Sequence, residues 1–263
     1  MDAPPYANGR FSWVDLSAHD LQAALPFYEA IFGWESGDAN VPDGHRYVMF
    51  HLGGVPVAGG GELSAPMQEQ GVPPTWNSYI GVDDIEETVQ KALDAGASVV
   101  APIMQAADAG RMAFISDPEG AVFGLWEAGE HQGAGAMRVH GTCTWNELNT
   151  RDPDAAQAFY GRVFDWSFAP MEGNPSNYWT VRASDSTDEG DFNGGLLEMT
   201  EEWGDMPAHW MVYFAVDDVA AAVERIRAGG GTIHHGPFDT QVGPMAVVSD
   251  PQGAVFMVMK SPS

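Results

Sequence analysis

Three blocks of residues occur twice in this chain, in the same order and at nearly constant spacing. Trp13-Val14-Asp15-Leu16, Asp20, Phe27-Tyr28, Phe32 and Trp34 return as Trp145-Asn146-Glu147-Leu148, Asp152, Phe159-Tyr160, Phe164 and Trp166. Trp76-Asn77-Ser78-Tyr79 with Val82-Asp83-Asp84 returns as Trp210-Met211-Val212-Tyr213 with Val216-Asp217-Asp218. Ser116-Asp117-Pro118-Glu119-Gly120-Ala121-Val122-Phe123 returns as Ser249-Asp250-Pro251-Gln252-Gly253-Ala254-Val255-Phe256. The offsets drift only from 132 to 134 in a chain of 263 residues. Such ordered self-similarity marks a duplicated domain, with each copy near the commonest domain size. The Gly/Ala-rich stretch 129–137 reads as the linker, leaving copies at 1–130 and 138–263.

Each copy carries the same local pattern twice. Phe11 to Ser17 alternates apolar and polar residues, as a half-buried strand does. Asp20 is placed to cap a helix running to Phe32, and Asp152-Pro153 gives a cap with proline at the first helical position. Pro26 falls inside the first of these helices, so a kink or a late start is expected there. Arg46 to Leu52, Val55 to about Glu62, and Ser78 to Val82 read as strands, and Asp84 to Ala95 as a helix ended by Gly96. Arg111 to Ser116 and Ala121 to Glu127 follow as strands joined by the turn Asp117-Pro118-Glu119-Gly120. The expected fold is α+β: four βαβββ modules in two tandem domains.

Composition narrows the function. Eleven Lys+Arg against 37 Asp+Glu give a net charge of −26, which repels nucleic acid and anionic lipid and favours neutral or cationic ligands. Salt adaptation and a lysine-depleting base composition are equal readings of that imbalance. No run approaches 18 apolar residues and Met1 to Pro5 carries no signal-peptide pattern, so neither membrane nor export is expected and the cytoplasm is the default. The lone Cys143 allows no internal disulfide and no Cys-based zinc knuckle.

The Phe-Tyr helix ending near Phe-Gly-Trp, the Val-Asp-Asp before the second helix and the Asp-Pro-Glu-Gly turn resemble the vicinal oxygen chelate superfamily. That group includes glyoxalase I, bleomycin-resistance proteins and extradiol dioxygenases. The two-domain layout looks like its actinobacterial culture-filtrate-antigen, glyoxalase-like branch. The resemblance covers nearly the whole chain and implies cup-shaped mixed sheets. It says little about the reaction, since the fold hosts lyases, isomerases, oxygenases and plain binders.

In that superfamily a divalent metal sits in the cup, held by His or Gln from the first strand of each module and Glu from the last. The matching first-strand positions here are Trp13 and Asn77, then Trp145 and Met211. The last-strand positions are Gly124 and Met257, and only the ends of the first modules offer acids, Glu62 and Glu198. Indole, thioether and hydrogen cannot replace imidazole and carboxylate, so no metal cofactor is expected. Among the histidines, His19, His131 and His140 fall in turns or the linker. His45 and His51 flank an edge-like strand, and His234-His235 point oppositely. Only His209 counts onto the cup side, at the rim.

Period-2 counting sorts the first strands. Val14 and Leu16 face the helices, so Trp13, Asp15 and Ser17 face the cup; in the second copy Trp145, Glu147 and Asn149 do. Asn77, Tyr79, Met211, Tyr213, Trp126 and Met259 join them. An acid beside Trp on a sheet face must keep water, find a donor or raise its pKa, and raised carboxyls do acid–base work. Asp15 and Glu147 are therefore the candidate catalytic groups. Trp13, Trp145, Asn77, Tyr79, Tyr213, Trp126, Arg111 and His209 are the candidate substrate-binding residues. The alternative is that the Trp/acid pairs hold the domains together. Arg111 is read as an anion clamp, a partner of Asp15 or a surface residue. Cys143 falls on the cup side without a His partner, and 185–191 reads as a solvated acidic loop.

Two functions compete. One is a glyoxalase-like enzyme working without metal on a small carbonyl or aromatic substrate. The other is a non-catalytic binder that sequesters a flat, neutral or cationic molecule between aromatic faces, as resistance proteins of this fold do. Metal-dependent lyase or dioxygenase chemistry is penalised by the missing ligands. Either a monomer with a pseudo-twofold or a homodimer fits the duplication. The polar Asn146 and Asn149 favour the second copy as the working site.

Overall fold

The structure, a computed structural model, describes residues 6–39, 46–173, 176–188 and 190–260; His45 and Glu189 lie outside them. Each copy builds one eight-stranded mixed sheet. The first copy runs β1(Phe11–Ala18), α1(Leu21–Phe32), β2(Glu35–Asp38), β3(Tyr47–Leu52), β4(Val55–Glu62), a short α2(Ala65–Glu69), β5(Thr75–Gly81), α3(Ile85–Asp94), β6(Ser98–Ala106), β7(Gly110–Ser116) and β8(Val122–Ala128). The second runs β9(Cys143–Thr150), α4(Pro153–Phe164), β10(Ser167–Pro170), β11(Tyr178–Arg182), β12(Gly194–Glu198), β13(His209–Val216), α5(Val219–Ala228), β14(Thr232–Thr240), β15(Gly243–Ser249) and β16(Val255–Lys260). Strand order is 2-3-4-1-5-8-7-6 in one sheet and 10-11-12-9-13-16-15-14 in the other. The two modules of each sheet meet along an antiparallel central pair, β1 with β5 and β9 with β13. The expected four βαβββ modules are all present.

Helix α1 begins at Leu21, with Asp20 accepting from the Ala23 amide, and passes through Pro26 to Phe32. The late start read from Pro26 does not occur. Pro26 lies on the exposed face, where the carbonyl it leaves unpaired can meet water.

The two copies share their cores. One core joins α1 and the inner residues of β1, β3 and β4 to Val212, Phe214, Val223, Phe256 and Val258 of the second copy. The other joins Ile80, Ile85, Ile115 and Phe123 of the first copy to Phe159, Tyr160, Phe164 and Trp210 of the second. Each copy's first helix thus packs on the other copy's second module.

Hydrogen bonds repeat the exchange. Asp250 Oδ1 accepts the Gln252 and Ala254 amides of its own turn, while its Oδ2 accepts from Tyr28 Oη at 3.0 Å. Tyr28 Oη in turn accepts from Trp76 Nε1 at 3.1 Å. The symmetric set is Asp117, Tyr160 (2.9 Å) and Trp210 Nε1 (2.9 Å). The Asp117-Pro118-Glu119-Gly120 and Asp250-Pro251-Gln252-Gly253 turns and the Phe-Tyr helices are therefore docking elements.

Two sequence readings change here. Asn146 faces the interdomain side, where its Oδ1 accepts from Ser78 Oγ at 2.6 Å, so its polarity belongs to docking. Cys143 is 2% exposed and packs in the shared core, not in the cup, because a bulge between Tyr213 and Phe214 shifts its register.

Candidate active site

Strand β9 lies at the centre of its sheet with Glu147 opposite Met211 on β13 and Gly195 on β12. Alternation points Trp145, Glu147 and Asn149 into the cup while Leu148 joins the core. Glu147 is 6% exposed, and the hydroxyls of Tyr213 and Tyr178 hydrogen-bond to it. Burial pushes its carboxyl up to about 7 against those two donors. Both tyrosines are held well above their ordinary range by burial and then by the acid's charge, so they stay protonated and donate. Trp145 Nε1 donates to Tyr178 Oη at 2.8 Å and fixes that hydroxyl. Room for Tyr178 comes from Gly195, where a Cβ would collide with the phenol oxygen and the Trp145 indole.

The first cup repeats the design around Asp15, which is 7% exposed. Tyr79 Oη (2.9 Å) and Tyr47 Oη (3.2 Å) donate to Oδ2, Asn77 Nδ2 (2.8 Å) donates to Oδ1, and Trp13 Nε1 donates to Tyr47 Oη at 3.0 Å. Burial raises the Asp15 carboxyl, opposed by bonds from Asn77, Tyr79 and Tyr47. The Trp/acid pairs thus serve their own cups and do not tie the domains together. Tyr47 and Tyr178, which the sequence reading missed, complete both sites. They stand 131 residues apart, next to the offset of the repeat, and that spacing is the clue that would have found them.

The two cups differ in access. Trp13, Tyr79, Trp126 and Ala134 form a buried cluster, with Met49, Met112, Phe114 and Met137 packed on it. The linker closes this cluster: the His131 ring meets Trp13 at 4.4 Å and Trp126 at 5.6 Å, and Trp126 Nε1 donates to the His131 carbonyl at 2.9 Å. His131, read as a turn residue, is thus a plug on the first cup. In the second cup Trp145, Tyr178, Met211, His209, Met245 and Met259 are all partly exposed.

A wall specific to the second cup comes from Phe192, in the connection between β11 and β12, where the first copy has only the Gly53-Gly54 hairpin. Phe192 packs edge-on against Trp145 at 6.2 Å. The segment is not a free acidic loop, because Arg10 of the first copy pairs with Asp185 (2.8 Å) and Asp191 (2.6 Å).

Arg111 lies elsewhere. It pairs with Glu127 at 2.7 Å and with Glu86 on α3, and approaches neither Asp15 nor a cup-lining acid. His209 is at the rim, its Nε2 3.4 Å from Asn149 Nδ2 and its Nδ1 2.9 Å from the Pro207 carbonyl.

The residues present do not fit the superfamily's metal. Both first-strand tryptophans use their N–H as donors to tyrosine and have no lone pair for a cation. At Gly124 any Cβ would strike the Tyr79 ring, so no carboxylate can be placed there. Glu62 is exposed at a strand end, and Glu198 accepts from Asn177. Among the described residues one acidic trio, Asp84, Glu86 and Glu127, has convergent oxygens; Arg111 already neutralises two of its members.

The duplicated sheets and the exchanged helices are the architecture of a known superfamily. The chain belongs to the Glyoxalase/Bleomycin resistance protein/Dioxygenase superfamily, whose profile matches residues 10–125 and 141–258. It is 43% identical over 258 residues to the Mycobacterium bovis protein named "Putative glyoxylase CFP32", covering 97% of this chain and 96% of that one. It is 31% identical over 267 residues to "Anthracycline biosynthesis protein DnrV" of Streptomyces peucetius, covering 97% and 94%. Among solved structures, the Mn(II)-bound glyoxalase of Novosphingobium aromaticivorans shares the fold at a TM-score of 0.64 and 16% identity, covering 97% and 83%. The 2,3-dioxygenase LapB of Pseudomonas sp. KL28 matches equally at 0.64 and 15%, covering 98% and 94%. No helix among the described residues is long and apolar enough to cross a membrane.

Proposed function

We propose that the second cup binds a small neutral molecule with a carbonyl or aromatic group, and that Glu147 exchanges a proton with it without a divalent metal. The observation that carries this is the Glu147 carboxyl itself. It is buried, its hydrogen-bond partners are tyrosine hydroxyls rather than cations, and it sits near 7. A carboxyl so poised can both give and take a proton at neutral pH. Tyr178 and Tyr213 are placed to stabilise the anion that remains, or to donate to a ligand oxygen. Trp145 and Phe192 offer aromatic surface, and the net charge of −26 disfavours anionic ligands. The relatives named for a glyoxylase and for anthracycline biosynthesis agree with a small organic ligand.

The test is deuterium exchange into the methyl group of 4-hydroxyacetophenone in D2O, followed by NMR. The wild-type protein should accelerate exchange, and Glu147→Gln should remove the acceleration, a loss on the order of 10²–10⁴-fold. Elemental analysis should find no stoichiometric zinc, iron, nickel or manganese, and EDTA should leave both exchange and Tm unchanged. Exchange that needs one of those metals would refute the metal-free reading. The aromatic wall of Trp145 and Phe192 supports a second reading, binding without turnover. Saturable binding of the ketone with no exchange would select it.

A further inference from the structure

Asn149 stands two residues beyond Glu147 on β9 and faces the same cup, about 6.7 Å further along the strand. It is 1% exposed, and its Oδ1 has no hydrogen-bond partner among the described residues. A buried amide carbonyl left without a donor is costly and asks for an explanation. The orientation of the amide follows from its neighbour. The Pro207 carbonyl can only accept, so the proton of neutral His209 resides on Nδ1 and Nε2 presents a lone pair. Asn149 must then offer Nδ2 to His209 and leave Oδ1 free, since a flipped amide would set oxygen against that lone pair.

The first copy has no such opening. Ser17 occupies the matching position, and Asn77 Nδ2 bridges its Oγ (2.9 Å) to Asp15 Oδ1 (2.8 Å). In the second copy Met211 stands where Asn77 stood and has no N–H or O–H to donate. The set around Asp15 and Ser17 is closed, the orphan atom of that cup being Nε2 of the plugging His131; the set around Glu147 and Asn149 is one donor short.

We infer that Asn149 Oδ1, held by His209, is the specificity acceptor of the second cup and takes an O–H or N–H donor from the ligand. The carbonyl end of that ligand faces Glu147. The ligand class is a neutral aromatic carbonyl compound with a hydroxyl or amino group across the ring, because a para-disubstituted ring spans the spacing between the two side chains. His209 acts as a positioning residue that sets the amide.

This inference rests on the reading of the second cup as a binding site, and the experiment separates the two. Affinities of 4-hydroxyacetophenone and 4-methoxyacetophenone are measured by calorimetry for wild type, Asn149→Leu and Asn149→Ser. In wild type the hydroxy compound should bind on the order of tenfold tighter or more. Asn149→Leu should bring the ratio to about one by weakening the hydroxy compound alone. Asn149→Ser, which installs the first copy's shorter residue, should do the same and keeps the test intact if the leucine protein does not fold. Equal affinities in wild type, or a preference that survives in the variants, would overturn the subsite and leave the proposed function standing. Failure of both ketones to bind at millimolar concentration would overturn both.

Discussion

Glu147 and Asp15 hold the same place in their strands and differ in their company. Asp15 has three donors and a plug over it; Glu147 has two tyrosines, and side chains around it such as Trp145, Tyr178 and Met211 are partly exposed. That difference gives Glu147 a pH signature. Its carboxyl is raised from 4.5 to about 7, so the folded protein holds a proton that the unfolded chain has lost in between. Its contribution is fully present below pH 4.5 and declines as pH rises through 7, by about 3 kcal/mol at 1.36 kcal/mol per unit. Wild-type stability should therefore fall from pH 5 to pH 8 more steeply than that of Glu147→Gln; parallel urea-denaturation profiles would contradict this. Gly195→Ala should displace Tyr178 and cost about 1–3 kcal/mol, with the Glu147 titration moving further up as a donor is lost. The acids and tryptophans were legible because alternation along a strand is a local property. Tyr47, Tyr178 and His131 were not, since each reaches its cup from another element.

At the scale of elements, the segment 183–193 shows how a charge run can be misread. Its acids read as solvated although Arg182 directly precedes them; the cation that pairs with Asp191 is Arg10, 181 residues away. That contact steadies a segment whose Phe192 packs on Trp145. Arg10→Ala should weaken 4-hydroxyacetophenone binding several-fold while changing stability by no more than about 1 kcal/mol, as partly exposed ion pairs contribute little. Raised salt should reproduce the loss in wild type and leave the variant indifferent. A variant with full affinity would show that the wall stands without its latch. Helix starts at Asp20, Asp84 and Asp152 were readable, because each cap is a bond to an amide three residues on. Edge strands β2 and β10 were not delimited, since Glu35–Asp38 and Ser167–Pro170 carry no alternation strong enough to mark them.

For the whole molecule, exchanged cores make the two copies one cooperative unit. Tyr28→Phe leaves Asp250 and the Trp76 N–H each short of a buried partner, at a cost of about 1–3 kcal/mol. Because that tyrosine lies in a core with residues of both copies, Trp fluorescence and far-UV circular dichroism should shift together, in a single urea transition. Two separate transitions would mean that the copies fold independently. The four modules and the cup-facing acids were readable in the sequence itself from periodicities and turns that act within about ten residues, and the duplication from self-similarity at an offset of 132 to 134 residues. Arg111 shows the limit: its strand was readable, but it faces α3 instead of the cup, and its partners Glu86 and Glu127, 25 and 16 residues away, were not readable. Tertiary structure alone decided which tyrosine meets which acid, which cup the linker plugs and which turn receives the other copy's helix. The tyrosine–carboxylate contacts join residues from 31 to 222 positions apart, and their pairing follows from sheet register and domain docking, which no local pattern encodes.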